Sequence, residues 1–254
     1  MSAFTVCMTV LLTALLALPA AHAQAVSGPV TVAPIINTIA GNGANGYANG
    51  AATTVAEMSQ INGVAVDNQG NVYIADGQGS NNAIRMVPAM SGTYFGQAMT
   101  AGNMYTIAGN NTQGYSGDGS LATNAELDNP GEVTVDGQGN VYFSDVFNNR
   151  VRMVAAVNGT YFGQTMTAGY IYTIAGGGSS TKSGAQATNA ALNNPKGVAL
   201  DSAGNLYITE IKNNDVRMVP AVSGTYFGQT MTANYIYTIA GNGTAGYINQ
   251  FISK

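Results

Sequence analysis

The sequence predicts an all-β protein that consists of three complete units of four antiparallel strands and one extra strand before them. Two repeated markers carry this prediction. The tetrapeptide Thr-Ile-Ala-Gly recurs at intervals of 68, 67 and 65 residues, beginning at Thr38, Thr106, Thr173 and Thr238. The hexapeptide Gly-Thr-Tyr-Phe-Gly-Gln recurs at intervals of 67 and 65 residues, beginning at Gly92, Gly159 and Gly224. Because the two markers keep the same order, the chain is a tandem repeat.

Residues 1–23 are predicted to be a signal peptide. Residues 10–18 are almost wholly apolar but too few to span a bilayer. The following Ala21-His22-Ala23 has the small residues that precede a cleavage site, so cleavage is expected after Ala23. The alternative, a buried segment of the mature fold, is disfavoured because nothing similar recurs in the repeats. We therefore expect a secreted protein, extracellular or periplasmic, with no membrane span after signal removal.

Composition excludes several classes of site. Removal of the signal segment would remove Cys7 and His22, the single cysteine and the single histidine of the chain. The mature protein would then have no disulfide, no cysteine or histidine nucleophile–base pair, and no zinc or haem held by these residues. The 12 acidic and 8 basic residues give a net charge of −4 without a basic patch. Nucleic acid is therefore not an expected partner.

The predicted domain order follows the repeat. Residues 24–34 are a linker or lead-in strand, and residues 35–241 form the repeats, in units of about 35–108, 109–175 and 176–241. The extra strand covers residues 35–40, and residues 242–254 are a tail in which the repeat is cut short. In the third unit the four short strands are predicted at residues 198–200, 206–208, 216–219 and 236–240. Asp201 and Gly204 are expected to close the turn between the first two.

Two connections complete each unit. Residues 220–234, between the third and fourth strands, are expected to extend these outer strands as a long hairpin. A crossing rich in Gly and Asn, residues 109–119, leads to the next unit, and residues 122–127 are expected to form one helical turn before Pro130. Four strands per unit with such a connection are the plan of a β-propeller blade.

The first three strands of each unit resemble the NHL repeat. Residues 197–219, GVALDSAGNLYITEIKNNDVRMV, match its Gly-apolar-Ala-Val-Asp strand, its Gly-Asn turn, its apolar-Tyr strand and its Asn-x-Arg-apolar strand. Residues 63–87 and 131–154 repeat the match. The arginine of the last element is kept only at Arg150, and Ala83 and Asp215 replace it. The resemblance is to a long-repeat variant of secreted bacterial proteins, and it implies a propeller that usually has six blades.

Three blades are too few for a closed ring, since propellers have at least four. The sequence therefore predicts a partial, open propeller, and two interpretations of it stay open. In one, the chain is a non-functional fragment of a longer six-bladed protein. In the other, it is half of a six-bladed ring that a second copy closes, so that the protein is a homodimer.

One acidic residue ends the second strand of each unit: Asp76, Asp145 and Glu210. As a ring at one end of a central channel these carboxylates would be weak candidates for a Ca²⁺ site, because Ca²⁺ prefers oxygen ligands. The alternative is that each acid caps its own turn or pairs with an arginine of the third strand, Arg85, Arg152 or Arg217. Since the acids recur once per blade, the structural interpretation is favoured.

One aromatic pair recurs in each inserted hairpin: Tyr94 and Phe95, Tyr161 and Phe162, Tyr226 and Phe227. Tyrosine and phenylalanine are frequent anchors at interfaces, so these six residues are weak candidates for binding a carbohydrate or a protein. The alternative is packing between neighbouring blades, which an identical pair in every blade favours.

Nothing singular breaks the symmetry of the repeat, so the sequence predicts no catalytic residue and no cofactor. The favoured function is that of a secreted NHL-repeat propeller acting as a binding or scaffold module. The alternative is a propeller enzyme dependent on a divalent metal. A lyase of the peptide-amidating type would need histidine ligands, whereas a lactonase-like site would need only Glu, Asn and Asp, and is not excluded.

Overall fold

The computed structural model describes residues 36–78 and 81–246. The chain divides into two compact units, residues 1–37 and 38–254, and all the described strands belong to the second. The predicted signal peptide, the linker at residues 24–34 and residues 247–254 of the predicted tail lie outside the described residues. No helix in the described part of the chain is long and apolar enough to cross a bilayer.

Each repeat unit contributes seven strands. Those of the first unit are β1 (Gly50–Ala51), β2 (Gln60–Val66), β3 (Val72–Gln78), β4 (Ala83–Val87), β5 (Gly92–Tyr94), β6 (Gln97–Met99) and β7 (Asn103–Ala108). Those of the second are β8 (Ser120–Leu121), β9 (Pro130–Val135), β10 (Val141–Asp145), β11 (Arg150–Val154), β12 (Gly159–Tyr161), β13 (Gln164–Met166) and β14 (Tyr170–Gly176). Those of the third are β15 (Ala185–Gln186), β16 (Pro195–Leu200), β17 (Leu206–Glu210), β18 (Asp215–Val219), β19 (Gly224–Tyr226), β20 (Gln229–Met231) and β21 (Tyr235–Gly241).

The strands form three antiparallel blades, which confirms the predicted fold class of an open, partial propeller. The strand orders are β1-β7-β4-β3-β2, β8-β14-β11-β10-β9 and β15-β21-β18-β17-β16. The innermost strands β2, β9 and β16 lie side by side. Apolar cores fill the space between blades 1 and 2, where Ile107 and Phe143 belong to one buried cluster, and between blades 2 and 3, where Ile174 and Ile208 belong to another.

A network of three side chains shapes the turn between the first two strands of every blade. In blade 2, Asp136 Oδ1 accepts hydrogen bonds from the amides of Gln138 and Asn140, both at 2.9 Å. Its Oδ2 accepts from Asn140 Nδ2 at 2.8 Å and from the Tyr142 hydroxyl at 2.9 Å. Equivalent bonds are made by Asp67 and by Asp201. The aspartate predicted to close the turn does so because its carboxylate satisfies the turn amides.

The inserted hairpin does not extend the outer strands of the blade, contrary to the prediction. It forms separate two-stranded ribbons, β5-β6, β12-β13 and β19-β20. A turn interrupts the returning strand, where the amide of Asn103 donates to Thr100 O and Gly102 has a φ of 72°. The same turn recurs before Tyr170 and before Tyr235. This left-handed step ends the ladder between the third and fourth strands.

Three further features differ from the prediction or add to it. Residues 36–40 form no strand, because the third strand of a preceding blade, with which a fourth strand must pair, is absent from the described residues. The sequence did not predict the short fifth strands β1, β8 and β15, which pair with the outermost strand of each blade. The expected helical turn is present as the 3-10 turn Ala122–Asn124, and Ala187–Asn189 repeats it.

Candidate functional site

The three carboxylates predicted to end the second strands are buried in ion pairs, each within its own blade. Asp145 and Glu210 do end β10 and β17, whereas β3 continues for two residues beyond Asp76. Asp76 Oδ2 lies 3.1 Å from Arg85 Nη1, Asp145 Oδ2 lies 3.4 Å from Arg152 Nη1, and Glu210 Oε2 lies 3.2 Å from Arg217 Nη1. The blade geometry causes this, because the acid and the arginine stand on the adjacent second and third strands.

Each carboxylate also holds the chain before the first strand. The amides of Ser59, Asp128 and Asn193 donate to the three acids at 3.0, 2.8 and 2.6 Å. With their oxygens engaged in this way, the acids are directed into their own blades. Among residues 36–78 and 81–246, no three Asp, Glu, His or Cys side chains come together as a group that could hold a metal ion.

The arginines connect the blade to the crossing that precedes it. Arg85 Nη2 donates to Ala48 O at 2.9 Å and to Asn49 Oδ1 at 2.8 Å. Arg152 Nη2 donates to Ser116 O and to Asp118 Oδ1, both at 2.7 Å. Sequence reasoning missed this role of Asp118, because the acid has no counterpart in the other crossings. The carboxylate–arginine pairs therefore fasten the crossings to the blades.

The aromatic pairs divide into two different roles. Phe95 is only 8% exposed and belongs to the core between blades 1 and 2. Phe162 meets Tyr142 edge to face, with ring centroids 6.1 Å apart. Phe227, at the same position in blade 3, is 69% exposed. The phenylalanines of blades 1 and 2 thus pack against the rest of the propeller, and both also line the surface between the blades.

The tyrosines Tyr94 and Tyr161, with the phenylalanines that follow them, line surface grooves at the end of the blades that carries the ribbons. The first groove, of about 410 Å³, lies between blades 1 and 2 and is lined by Asn68, Gln69, Thr93, Tyr94, Asp136 and Gln138 among others. The second, of about 750 Å³, lies between blades 2 and 3 and is lined by Thr160, Tyr161, Asp201, Ser202, Gly204 and Ala221 among others. Asn68 lines both grooves.

The grooves repeat the same chemistry at equivalent positions. Thr93, Tyr94 and Asp136 in the first correspond to Thr160, Tyr161 and Asp201 in the second. Among the residues that the structure describes, no lysine, arginine or histidine lines either groove. The Tyr161 hydroxyl donates to Gln138 Oε1 at 2.9 Å, so this ring is held at the edge of its groove. The sequence pointed to these tyrosines, but it indicated only a turn-forming role for the polar residues opposite them.

Comparison with protein-family models and with curated proteins finds no match for the chain. Solved structures do resemble it. A nidogen/laminin complex aligns with a TM-score of 0.40 at 16% identity, over 72% of this chain and 48% of that one. A structural genomics protein of unknown function from Bacteroides thetaiotaomicron aligns with a TM-score of 0.40 at 21% identity, over 72% and 36%. A streptogramin B lyase aligns with a TM-score of 0.37 at 14% identity, over 68% and 44%.

The chain spans less than half the length of each of these structures. At such identities the likeness concerns the fold alone. The blades and the repeat therefore describe an open β-propeller, and any function has to be argued from the surface of this chain.

Proposed function

We propose that this protein is a secreted binding module of the NHL-repeat type, and that its interblade grooves bind a neutral oligosaccharide. The observation that carries the proposal is the repetition of one groove at both blade junctions, each with a tyrosine at its edge. Proteins bind ligands in concave sites where a few polar groups fix orientation beside aromatic surface. Both kinds of group line these grooves.

The chemistry of the grooves favours a sugar over an ionic ligand. Amide and hydroxyl side chains such as Asn68, Gln69 and Thr93 can both donate to and accept from sugar hydroxyls. The partly exposed rings of Tyr94 and Tyr161 offer apolar faces with a polar tip. The carboxylates Asp136 and Asp201 disfavour anions, and no basic residue in the lining would attract them.

The repetition supports a ligand that itself repeats. Because Asn68 lines both grooves, they meet near the innermost strands. An oligosaccharide that places similar rings in both grooves would gain from two linked contacts, since the second contact becomes intramolecular. The NHL-type repeat and the predicted signal peptide agree with a binding module that acts outside the cytoplasm.

The test is calorimetric titration of the purified chain with neutral hexasaccharides of glucose and of N-acetylglucosamine. We expect one of these probes to bind. We expect the double variant Tyr94→Ala/Tyr161→Ala to raise the Kd for that probe at least about tenfold, because each groove loses the aromatic ring at its edge. The matched control is Phe147→Ala, which removes an aromatic ring that is 52% exposed outside both grooves.

A Kd unchanged in the double variant would contradict the proposal. So would an equal loss of affinity in Phe147→Ala, or binding confined to peptides and acidic sugars. Circular dichroism of both variants checks that the blades remain folded.

A further inference from the structure

We propose that the outer faces of blades 1 and 3 bind each other between two copies of this chain. The face of blade 1 that points away from blade 2 is named the first face and includes Gln60, Val64 and Val66. The face of blade 3 that points away from blade 2 is named the last face and includes Asn214, Phe227, Ile239 and Ala240. The proposal does not depend on the oligosaccharide function.

The first face presents Val64, whose counterparts in the other two blades are buried. Val64, Val133 and Val198 hold the same position, each opposite the second strand of its own blade. Val133 is 2% exposed and Val198 is 5% exposed, because the preceding blade covers them, whereas Val64 is 59% exposed. Val66, two residues further along β2, is 60% exposed. The side chains suited to a blade–blade contact are therefore present on blade 1 without a covering blade among the described residues.

The last face shows the complementary pattern. Ile107 and Ile174, on the outermost strands of blades 1 and 2, are both 1% exposed, and the following alanines Ala108 and Ala175 are fully buried. In blade 3 the corresponding Ile239 is partly exposed and Ala240 is exposed. This face thus offers to solvent the same surface that blades 1 and 2 offer to their neighbours.

The backbone at Phe227 gives an independent reason to expect a partner. Phe95, Phe162 and Phe227 have φ values of 51°, 49° and 52°, in the left-handed region that bulky residues rarely adopt. The burial of Phe95 offsets this strain in blade 1. Phe227 has the same backbone, which the two-residue turn of its ribbon requires, but its ring is in solvent. The burial that offsets the strain in blade 1 therefore has no counterpart in blade 3 within the described part of the chain.

A polar contact fixes the register of the two internal interfaces. Asn82 Oδ1 accepts from the amide of Asn129 at 2.9 Å, between blades 1 and 2. Asn149 Oδ1 accepts from the amide of Asn194 at 2.8 Å, between blades 2 and 3. Asn214 holds this acceptor position in blade 3 and lines an open cavity of about 370 Å³. The exposed Gln60 holds the donor position on the first face.

A second copy is the occupant that these observations favour, because each face has the partner surface of the other. The contact is heterologous, since two different surfaces meet, and such contacts form a ring when the rotation closes. Two contacts of this kind would close a ring from two copies with three blades each. Every contact in the ring would then repeat the packing already seen twice within one chain.

The test is the oligomeric state of the full chain, measured by size-exclusion chromatography with light scattering. We expect a dimer for the wild type and a monomer for both Val64→Asp and Phe227→Asp, because each places a charge in a desolvated contact and raises the Kd at least about tenfold. An equimolar mixture of the two variants is expected to form a dimer again, since one intact first face can meet one intact last face. The control Val157→Asp alters a valine that is 46% exposed in the middle blade and should remain dimeric.

A monomeric wild type would overturn the proposal. A dimer that survives either single substitution would overturn it as well, and so would a mixture that stays monomeric, because the contact would then join like faces. A second measurement requires no buried charge: Gln60→Cys with Asn214→Cys, in a Cys7→Ser background, should form two-copy species with a short thiol crosslinker. Crosslinked monomers alone would speak against the head-to-tail contact.

Discussion

Arg152 is shared unequally between two carboxylates. Its Nη2 lies 2.7 Å from Asp118 Oδ1, whereas its Nη1 lies 3.4 Å from Asp145 Oδ2. Burial raises the pKa of Asp145 to about 6, although Arg152 and Asn148 oppose the rise. Burial also acts to raise the pKa of Asp118, but the charge of Arg152 and the hydrogen bonds from Thr173, Tyr115 and Arg152 together outweigh it, and that pKa is lowered. Protonation of Asp145 should therefore stabilise the fold, whereas protonation of Asp118 should destabilise it.

Stability should depend on Asp145 between pH 4 and 6. Since the pKa of Asp145 is about 6 when folded and 3.8 in its ordinary state, the folded protein binds the extra proton in this window. The free energy of unfolding should fall as pH rises from about 4 to about 6, by up to roughly 3 kcal/mol. Asp145→Asn should make this slope shallower, because the raised pKa values of Asp76, Glu210 and Asp215 still contribute to it. Urea unfolding at several pH values would measure the difference.

Asp118→Asn provides the matched control for that measurement. Because the pKa of Asp118 is lower in the folded protein than its ordinary value of 3.8, ionised Asp118 stabilises the fold. This stabilisation is lost as the pH falls below about 4. The control should therefore keep the slope between pH 4 and 6 and change the unfolding curve only at lower pH. Equal slopes in the wild type and in Asp145→Asn would show that burial does not raise the pKa of Asp145.

At the residue scale, the sequence predicted what depends on local chemistry. It indicated turns at Asp67, Asp136 and Asp201, because an aspartate before Gly-Asn can bind its own backbone. It did not single out Asn140, which is fully buried beside Asp136 and whose Oδ1 accepts from the amide of Ala156 at 2.8 Å. That hydrogen bond joins segments 16 residues apart, so no local sequence pattern predicts it.

At the scale of elements, the ribbons show how one sequence has different roles at different places. The three Tyr-Phe pairs are identical in sequence and in backbone conformation. Phe95 fills the core between blades 1 and 2, whereas Phe227 is 69% exposed. The contribution of each phenylalanine ring to the free energy of unfolding should therefore depend on the neighbouring blade and not on the ribbon that carries the ring.

Phe95→Ala should lower the free energy of unfolding by about 3 kcal/mol, because a large buried ring is lost and a cavity remains. Phe227→Ala, the same substitution in blade 3, should change it by less than about 1 kcal/mol in the monomer. Urea unfolding of dilute protein, below the concentration of association, measures both values. Similar losses at the two positions would mean that the phenylalanine acts within its ribbon.

The strands of each blade were predictable because short apolar runs alternate with Asp, Asn and Gly turns. The ends of the third and fourth strands were not, because the turn that separates ribbon from blade depends on the left-handed Gly102, Gly169 and Asn234. The strand predicted at residues 35–40 failed for another reason: its sequence matches a fourth strand, but pairing needs a third strand beside it. A strand is thus specified jointly by its residues and by its neighbour.

At the scale of the whole molecule, the repeat predicted the architecture and the number of blades. It did not predict the grooves, because they arise between units and combine the ribbon of one blade with the turn of the next. The exposed faces of blades 1 and 3 follow directly from the blade count, and they make the two outer blades different from the middle one.

The middle blade of the monomer should be the most protected part of the molecule. Within the part of the chain that the structure describes, blade 2 has an interblade apolar core on each side, whereas blades 1 and 3 each border one such core. In a repeat architecture, local stability depends on the interfaces with nearest neighbours. Amides in β10 and β11 should therefore exchange at least about tenfold more slowly than those in β17 and β18. The strands of blade 2 become accessible to exchange only when both of its interblade cores open. Hydrogen exchange of the monomeric Val64→Asp variant measures this difference. Since the blades are similar in sequence, equal protection in that monomer would show that strand pairing within a blade, and not packing between blades, determines its stability.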